Sequence, residues 1–357
     1  FIKSTRQVLI VGGASELRLD SSKEIPFDVT AETGLASFEV FDLESNSFVT
    51  DLVDGAGVAK RMSLKRVFPR LAVMQDDTVH VYGGGPLPAE QTGSGGAMGY
   101  DVVDIYVSGS GAASAGEFKN PTPALESIED RSGLTVSLIE VSEDNLSRYL
   151  LWGGSRGSLL GEVYNATSLE KDEIQGAFKR VEAAGDVPPM TVFHEMTRLG
   201  NGRFLLSGGM RSDGGTILAD DAYVVTLGNL DAEKVTAQCT RVPGFEVGRF
   251  MHAAVATDST HAVVFGGFID RAFTPTGDKR IFAMLGDDAG TATLTLPGGK
   301  ADFAPMGGLT ALSLESDAVL LLDGVSDFAA DLQLNSPLLQ QVRVYAPSTL
   351  WNETNAQ

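Results

Sequence analysis

GRFMHAAVATDSTHAVVFGGF, residues 248–268, reads as a β-hairpin. Residues 249–256 supply a first strand and 262–265 a second, with Asp258, Ser259 and Thr260 turning between them. The second strand runs directly into Gly266 and Gly267. A glycine pair has no Cβ and accepts positive φ, so the backbone there can turn sharply against a crowded neighbour.

The same apolar run closing on two glycines recurs along the chain. VLIVGG ends at Gly12-Gly13, VHVYGG at Gly83-Gly84, YLLWGG at Gly153-Gly154 and FLLSGG at Gly208-Gly209, with a degenerate VLLLDG at Asp323-Gly324. The first members of the pairs (Gly12, Gly83, Gly153, Gly208, Gly266 and Asp323) are 71, 70, 55, 58 and 57 positions apart. Periods of this size mark an array of small sheets, none of which buries both faces alone. Each pair follows β-branched, aromatic or leucine residues, which chance clustering of glycine would not arrange.

A strand ending in Gly-Gly, with a strand before it and aromatic-bearing strands after it, resembles the kelch repeat. In 37–49 Phe41 and Phe48 stand seven positions apart across a polar turn. Tyr345 and Trp351 take those places in 342–351, and Tyr164 and Phe178 in 161–181. Further third strands are expected at 101–107, 221–227 and 280–286, without the aromatic spacing that would place their fourth strands. First strands are expected at 69–75, 133–141, 193–199 and 308–314. The resemblance implies an all-β fold, a six-bladed kelch-type β-propeller with four-stranded antiparallel blades. It implies one domain over 1–357, with blades at approximately 1–56, 57–125, 126–184, 185–244, 245–300 and 301–357. Residues 53–60, 93–99 and 108–116 read as loop insertions that lengthen the first two periods. Aligned on the glycines, Phe1 falls inside a first strand, so upstream residues completing that strand are expected.

Composition fits many short strands joined by turns: 41 glycines and 43% hydrophobic residues in 357. The formal charge of −20 opposes binding to a phosphate backbone, which needs clustered Lys and Arg. No apolar stretch reaches the roughly 20 residues of a membrane-spanning helix. Cys239 is the only cysteine, so no intramolecular disulfide forms. The chain starts at Phe1 with no visible signal peptide, and reads as a processed or trimmed piece of a secreted or bacterial cell-envelope protein. Three glycosylation-type triplets, at Asn145, Asn165 and Asn352, are short enough to arise by chance.

The sequence offers no catalytic residue, no cofactor motif and no metal set. No P-loop and no Gly-x-Ser-x-Gly elbow is present, and the four histidines lack ligand spacing. His80 lies within a strand and His252 fits the R-x-x-H pattern that resembles a structural kelch position. His194 and Glu195, being adjacent, point to opposite faces of a strand. Galactose oxidase is a kelch enzyme whose copper site needs tyrosines, histidines and a cross-linked cysteine. Cys239, in TAQCTRV, has no matching tyrosine or histidine pair. The aspartates of 211–215 and 286–290 read as ordinary turns rather than calcium loops.

The arginines carry the functional expectation. Arg18, Arg156, Arg211 and Arg271 follow Gly-Gly pairs, while Arg70 and Arg249 begin first strands. In a kelch-type propeller the loops bearing them emerge on one face, where guanidinium forks suit carboxylates and phosphates. The expected function is a non-catalytic binding module for a protein or a small acidic ligand, with Arg18, Arg70, Arg156, Arg211, Arg249 and Arg271 as the ligand-binding set. The alternative is a sugar-acting enzyme of the mutarotase or epimerase type with its site at the channel mouth. The other reading of these arginines is pairing with local acids such as Asp213 and Asp270.

Overall fold

The computed structural model describes residues 1–16, 18–19, 27–28, 33–85, 100–109, 114–119, 124–142, 146–155, 158–166, 176–211, 221–242, 245, 247–277, 279–285, 288–293, 305–313, 319–322, 324 and 342–345. Among them there is no helix, and the fold is all-β. The chain divides into two compact units.

In the first unit, Gln7–Val11 pairs with Phe38–Asp42, which pairs with Ser47–Phe48. The next sheet runs Arg70–Val73, Val79–Tyr82, Asp104–Val107 and Glu117–Lys119 in neighbour order. A third meander follows as Thr135–Val141, Ser147–Trp152, Gly161–Ala166 and Gly176–Gly185. Every one of these pairings is antiparallel. In the second unit, Glu195–Gly200, Arg203–Ser207, Ala222–Leu227 and Val235–Val242 form a meander. The strands Ala253–Ala256, His261–Phe265, Lys279–Leu285 and Asp288–Thr293 form a sheet, and Thr310–Ser313, Val319–Leu322 and Val342–Tyr345 another.

The hairpin expected at 248–268 is present, with a shorter first strand, Ala253–Ala256. Its turn is tied by the Asp258 carboxylate, which accepts from the N–H groups of Thr260 and His261. Ahead of that strand Met251 takes φ +50, and Phe250 exchanges backbone hydrogen bonds with Phe268. This geometry recurs. The first glycines have φ between +58 and +67 (Gly12, Gly83, Gly153, Gly208, Gly266), and the second between +90 and +105. Gly324 faces Met306 and Leu309, as Gly154 faces Arg131 and Leu134, so it matches the second glycine of a pair.

A second position also repeats. Arg66, Thr191, Arg249 and Met306 each stand 17 residues before the first member of their pair, and Arg131 stands 22 before Gly153, where the hairpin is longer. Two residues further on the backbone is always left-handed: Phe68, Gly133, Phe193, Met251 and Gly308, with φ between +50 and +70. Phe68, Phe193 and Met251 adopt a conformation that costs a side-chain-bearing residue about 1–2 kcal/mol, a local cost held in place by the surrounding packing.

Aromatic pairs tie third strands to fourth strands. Phe41 opposes Phe48 with ring centroids 5.1 Å apart, and Tyr164 opposes Phe178 at 5.0 Å. Tyr106 opposes Phe118 at 5.4 Å, an additional pair that the insertion at 108–116 separates in sequence. Trp351 lies outside the described residues. Buried clusters fill each unit. One joins Ala72, Tyr82, Ile105, Leu134, Leu151 and Tyr164, and another joins Leu205, Val224, Val242, Phe245, Ala262 and Val264. Each such side chain contributes roughly 1.5–3 kcal/mol on leaving water.

Candidate functional site

The charged side chains that the fold controls most tightly are buried arginines. Arg66 donates through Nη1 to the carbonyl of Gly83 at 2.6 Å and through Nε to Asp104 Oδ2 at 2.8 Å. Arg131 repeats this arrangement, with Nη1 to the Gly153 carbonyl at 2.7 Å and Nε to Glu162 Oε1 at 2.9 Å. Arg249 donates through Nη1 to the Gly266 carbonyl at 3.2 Å and lies over the Phe245 ring, 4.1 Å from its centroid. All three are at most 1% exposed.

Their backbones complete a chain of contacts. Gly13 N–H donates to the Arg66 carbonyl at 2.9 Å, Gly84 N–H to that of Arg131 at 3.1 Å, and Gly209 N–H to that of Arg249 at 2.7 Å. Gly267 N–H reaches Met306 in the same way, at 2.8 Å. Each link thus runs from the second glycine of one repeat to the backbone of the next. Where the residue is arginine, its side chain then returns to the first glycine of its own repeat. A Cβ on Gly12 would lie 2.6 Å from the Arg66 carbonyl oxygen, which explains the glycine there.

This assigns Arg249 a structural position, and it corrects the expectation that it faces a ligand: a guanidinium without solvent exposure offers no fork to an outside anion. The other arginines fall differently. Arg70 begins the strand Arg70–Val73 and donates through Nε to the Leu134 carbonyl at 2.9 Å. Arg211 sits half-buried in the short strand Met210–Arg211, opposite Thr191. Arg271 is half-buried in the turn after Gly267, and among the described residues it makes no ion pair. The acid beside it, Asp270, accepts from the Thr274 N–H at 3.0 Å instead. Arg18 lies in the strand Arg18–Leu19, paired with Asp28 in register. Arg156 and Asp213 lie outside the described residues.

The histidines are largely interior groups. His252 Nε2 is 2.9 Å from Ser207 Oγ; burial, then Arg249 and His194, push its pKa well down. His80 stands between Tyr82 and Tyr164, and burial lowers its pKa to about 3. His194 is also buried, whereas His261 pairs with Asp258 at 2.8 Å nearer the surface. Cys239 is buried in Val235–Val242, and burial together with Asp186 raises its pKa to about 11. Among the described residues no group of three or more His, Cys, Asp or Glu side chains could hold a metal ion. Asn165 is buried in Gly161–Ala166, which removes it as a glycan acceptor; Asn145 and Asn352 lie outside the described residues.

The class that the fold defines is an antiparallel all-β repeat protein with Gly-Gly strands and buried arginines. No protein-family model matches the chain. Over 165 residues, 46% of its length, the chain is 27% identical to the tRNA wybutosine-synthesizing protein 4 of Candida albicans (strain SC5314 / ATCC MYA-2876). That match takes in 21% of the relative, so the chain spans about a fifth of the length of the curated protein it matches. Among solved structures it is similar to a fungal alcohol oxidase of the AA5 family in complex with copper. The TM-score is 0.47 at 13% identity, over 90% of this chain and 68% of that one.

Proposed function

We propose that the chain is a six-bladed kelch-type β-propeller acting as a non-catalytic recognition module, with a protein segment or small ligand bearing carboxylates or phosphates as its partner. The observation that carries this reading is Arg271. It follows a Gly-Gly pair, retains solvent exposure, and has its neighbouring acid already engaged by the turn. Arg211 follows the preceding pair and also keeps part of its surface open. Partly exposed arginines that follow two successive Gly-Gly pairs would give a local anion site on a protein of net charge −20. Such a field acts at short range, because repulsion from distant acids is screened beyond about 8–10 Å.

The Candida relative is named for tRNA wybutosine synthesis, and the matched segment is a small part of it. The acidity of this chain favours a scaffold or partner-binding role for the shared segment over direct contact with an RNA backbone. The test is titration of an acidic peptide library against the wild type and an Arg211→Ala/Arg271→Ala variant. Binding that weakens in the variant supports the reading, and equal binding by both proteins overturns it. Turnover of a sugar anomer by the wild type would favour the mutarotase-type alternative.

A further inference from the structure

The residue three positions after the buried-arginine place fills the same gap in successive repeats. Pro69, Leu134, His194, His252 and Leu309 pack against Gly84, Gly154, Gly209, Gly267 and Gly324 of their own repeats. Leu134 and His252 also reach the preceding repeat. A Cβ on Gly83 would lie 2.7 Å from Leu134 Cδ2, and one on Gly208 would lie 2.6 Å from His252 Cε1. The residue ahead of the preceding pair is Tyr82 for Leu134 and Phe265 for Leu309, each sharing a buried apolar cluster with its leucine. For His252 it is Ser207, with Oγ and Nε2 2.9 Å apart and the two residues 0 and 1% exposed. A hydroxyl and an imidazole thus stand where other repeats place apolar groups.

The segment 249–252 binds its surroundings through each of its residues. The Arg249 carbonyl accepts from Gly209 N–H at 2.7 Å, and Phe250 exchanges backbone hydrogen bonds with Phe268. Met251, at φ +50, donates to the Phe193 carbonyl at 3.0 Å and accepts from Gly308 N–H at 2.7 Å. His252 completes the set through Ser207. The loops bearing Arg211 and Arg271 begin directly after Gly209 and Gly267.

We propose that His252 is a pH-sensitive latch, which when neutral pins 249–252 against Ser207 and when protonated releases that segment and the loops bearing Arg211 and Arg271. Among the described residues, the charged and titratable groups around it are Arg249 on its own segment and His194, while Glu195 stands opposite Ser207 in the strand pair. The closed form opposes the proton in two ways. It would place a second positive charge beside Arg249. It would also leave N–H groups on both ring nitrogens, and the buried Nδ1 has no hydrogen-bond partner among the described residues. An opened segment takes the proton in water, so opening gains as pH falls below the ordinary 6.5, and closure is favoured above it. The latch concerns the conformation of these loops and does not depend on what they bind.

Hydrogen exchange of the full chain between about pH 7 and 5, corrected for the intrinsic pH dependence of exchange, tests it. The reporters are the amides of Gly209, Met251, Gly267 and Gly308. Their opening should rise about tenfold per pH unit below about 6.5, roughly thirtyfold by about pH 5, while Ala222–Leu227 in the same unit stays protected. His252→Gln, which still offers Ser207 a hydrogen bond but does not titrate, should remove the rise. Should it fold poorly, Ser207→Ala/His252→Leu restores an apolar pair and serves the same purpose, and the wild-type comparison of reporters with Ala222–Leu227 stands by itself. A flat profile at the reporters overturns the proposal. So does an equal rise at Ala222–Leu227, which would be general unfolding, or an undiminished rise in a folded variant.

Discussion

The guanidinium of Arg131 and the carboxylate of Glu162 meet at 2.9 Å with at most 1% of either side chain in solvent. The second carboxylate oxygen of Glu162 accepts from the Ile128 N–H at 2.7 Å, so both oxygens are engaged. Removing one partner leaves the other charge buried, at a cost of about 3–5 kcal/mol. Arg131→Met should lower the unfolding free energy read from urea titration by that order, and Glu162→Gln by less, because Arg131 keeps Glu129 at 3.4 Å. The double variant should recover part of the loss, and additive losses would show that the pair is not coupled.

Gly83 should be more sensitive to substitution than Gly308. Both have left-handed φ, +58 and +69. A Cβ at Gly83 would collide with the Arg131 carbonyl oxygen and approach Leu134, whereas one at Gly308 meets nothing within 4 Å. Gly308→Ala then carries only the backbone cost, about 1–2 kcal/mol, while Gly83→Ala adds overpacking of about 1–3 kcal/mol. Gly266→Val, at φ +60 in the same register, should behave like Gly83→Ala or worse. Thermal melts of the variants give the ranking directly.

The hairpins and their glycine pairs were legible because an apolar run followed by Gly-Gly is contiguous in sequence and its backbone requirement is specific to glycine. Phe41–Phe48 and Tyr164–Phe178 were legible for a similar reason, as aromatics flanking a recognisable turn. Phe118 was not, since the insertion at 108–116 moves it away from Tyr106 while leaving the pairing intact. Arg66 and Arg131 were missed because their link to Gly-Gly spans a hairpin of variable length. The residues three positions on, Pro69, Leu134 and His252, share no side-chain chemistry. Arg249 reads from the sequence as facing a loop surface because sequence gives the position of an arginine but not the direction of its side chain. The carbonyls of Gly83, Gly153 and Gly266, which decide that direction, are invisible to residue identity.

Cys239 should resist thiol reagents in the folded protein. Its buried sulfur and a pKa raised to about 11 leave little thiolate at about pH 8. Alkylation should therefore follow the opening of Val235–Val242 and accelerate in urea in step with unfolding. Rapid labelling of the native protein would show that this strand opens locally.

Acid should destabilise the fold before its carboxylates titrate, and His80 should account for part of the loss. Burial depresses its folded pKa to about 3 from the ordinary 6.5. His252 is depressed in the same direction by burial, Arg249 and His194. The folded protein therefore holds both rings neutral while the unfolded chain protonates them below about 6.5. Their contribution is complete above that pH and is lost as pH falls toward the folded values. Each proton bound only by the unfolded chain gives a slope of about 1.4 kcal/mol per pH unit. Urea midpoints measured between about pH 7 and 4 should fall steadily. His80→Phe, which keeps an aromatic ring against Tyr82 and Tyr164, should flatten the slope by about one proton's worth even if it alters stability at pH 7. An unchanged slope in that variant would show that His80 already titrates in the folded state near its ordinary pKa.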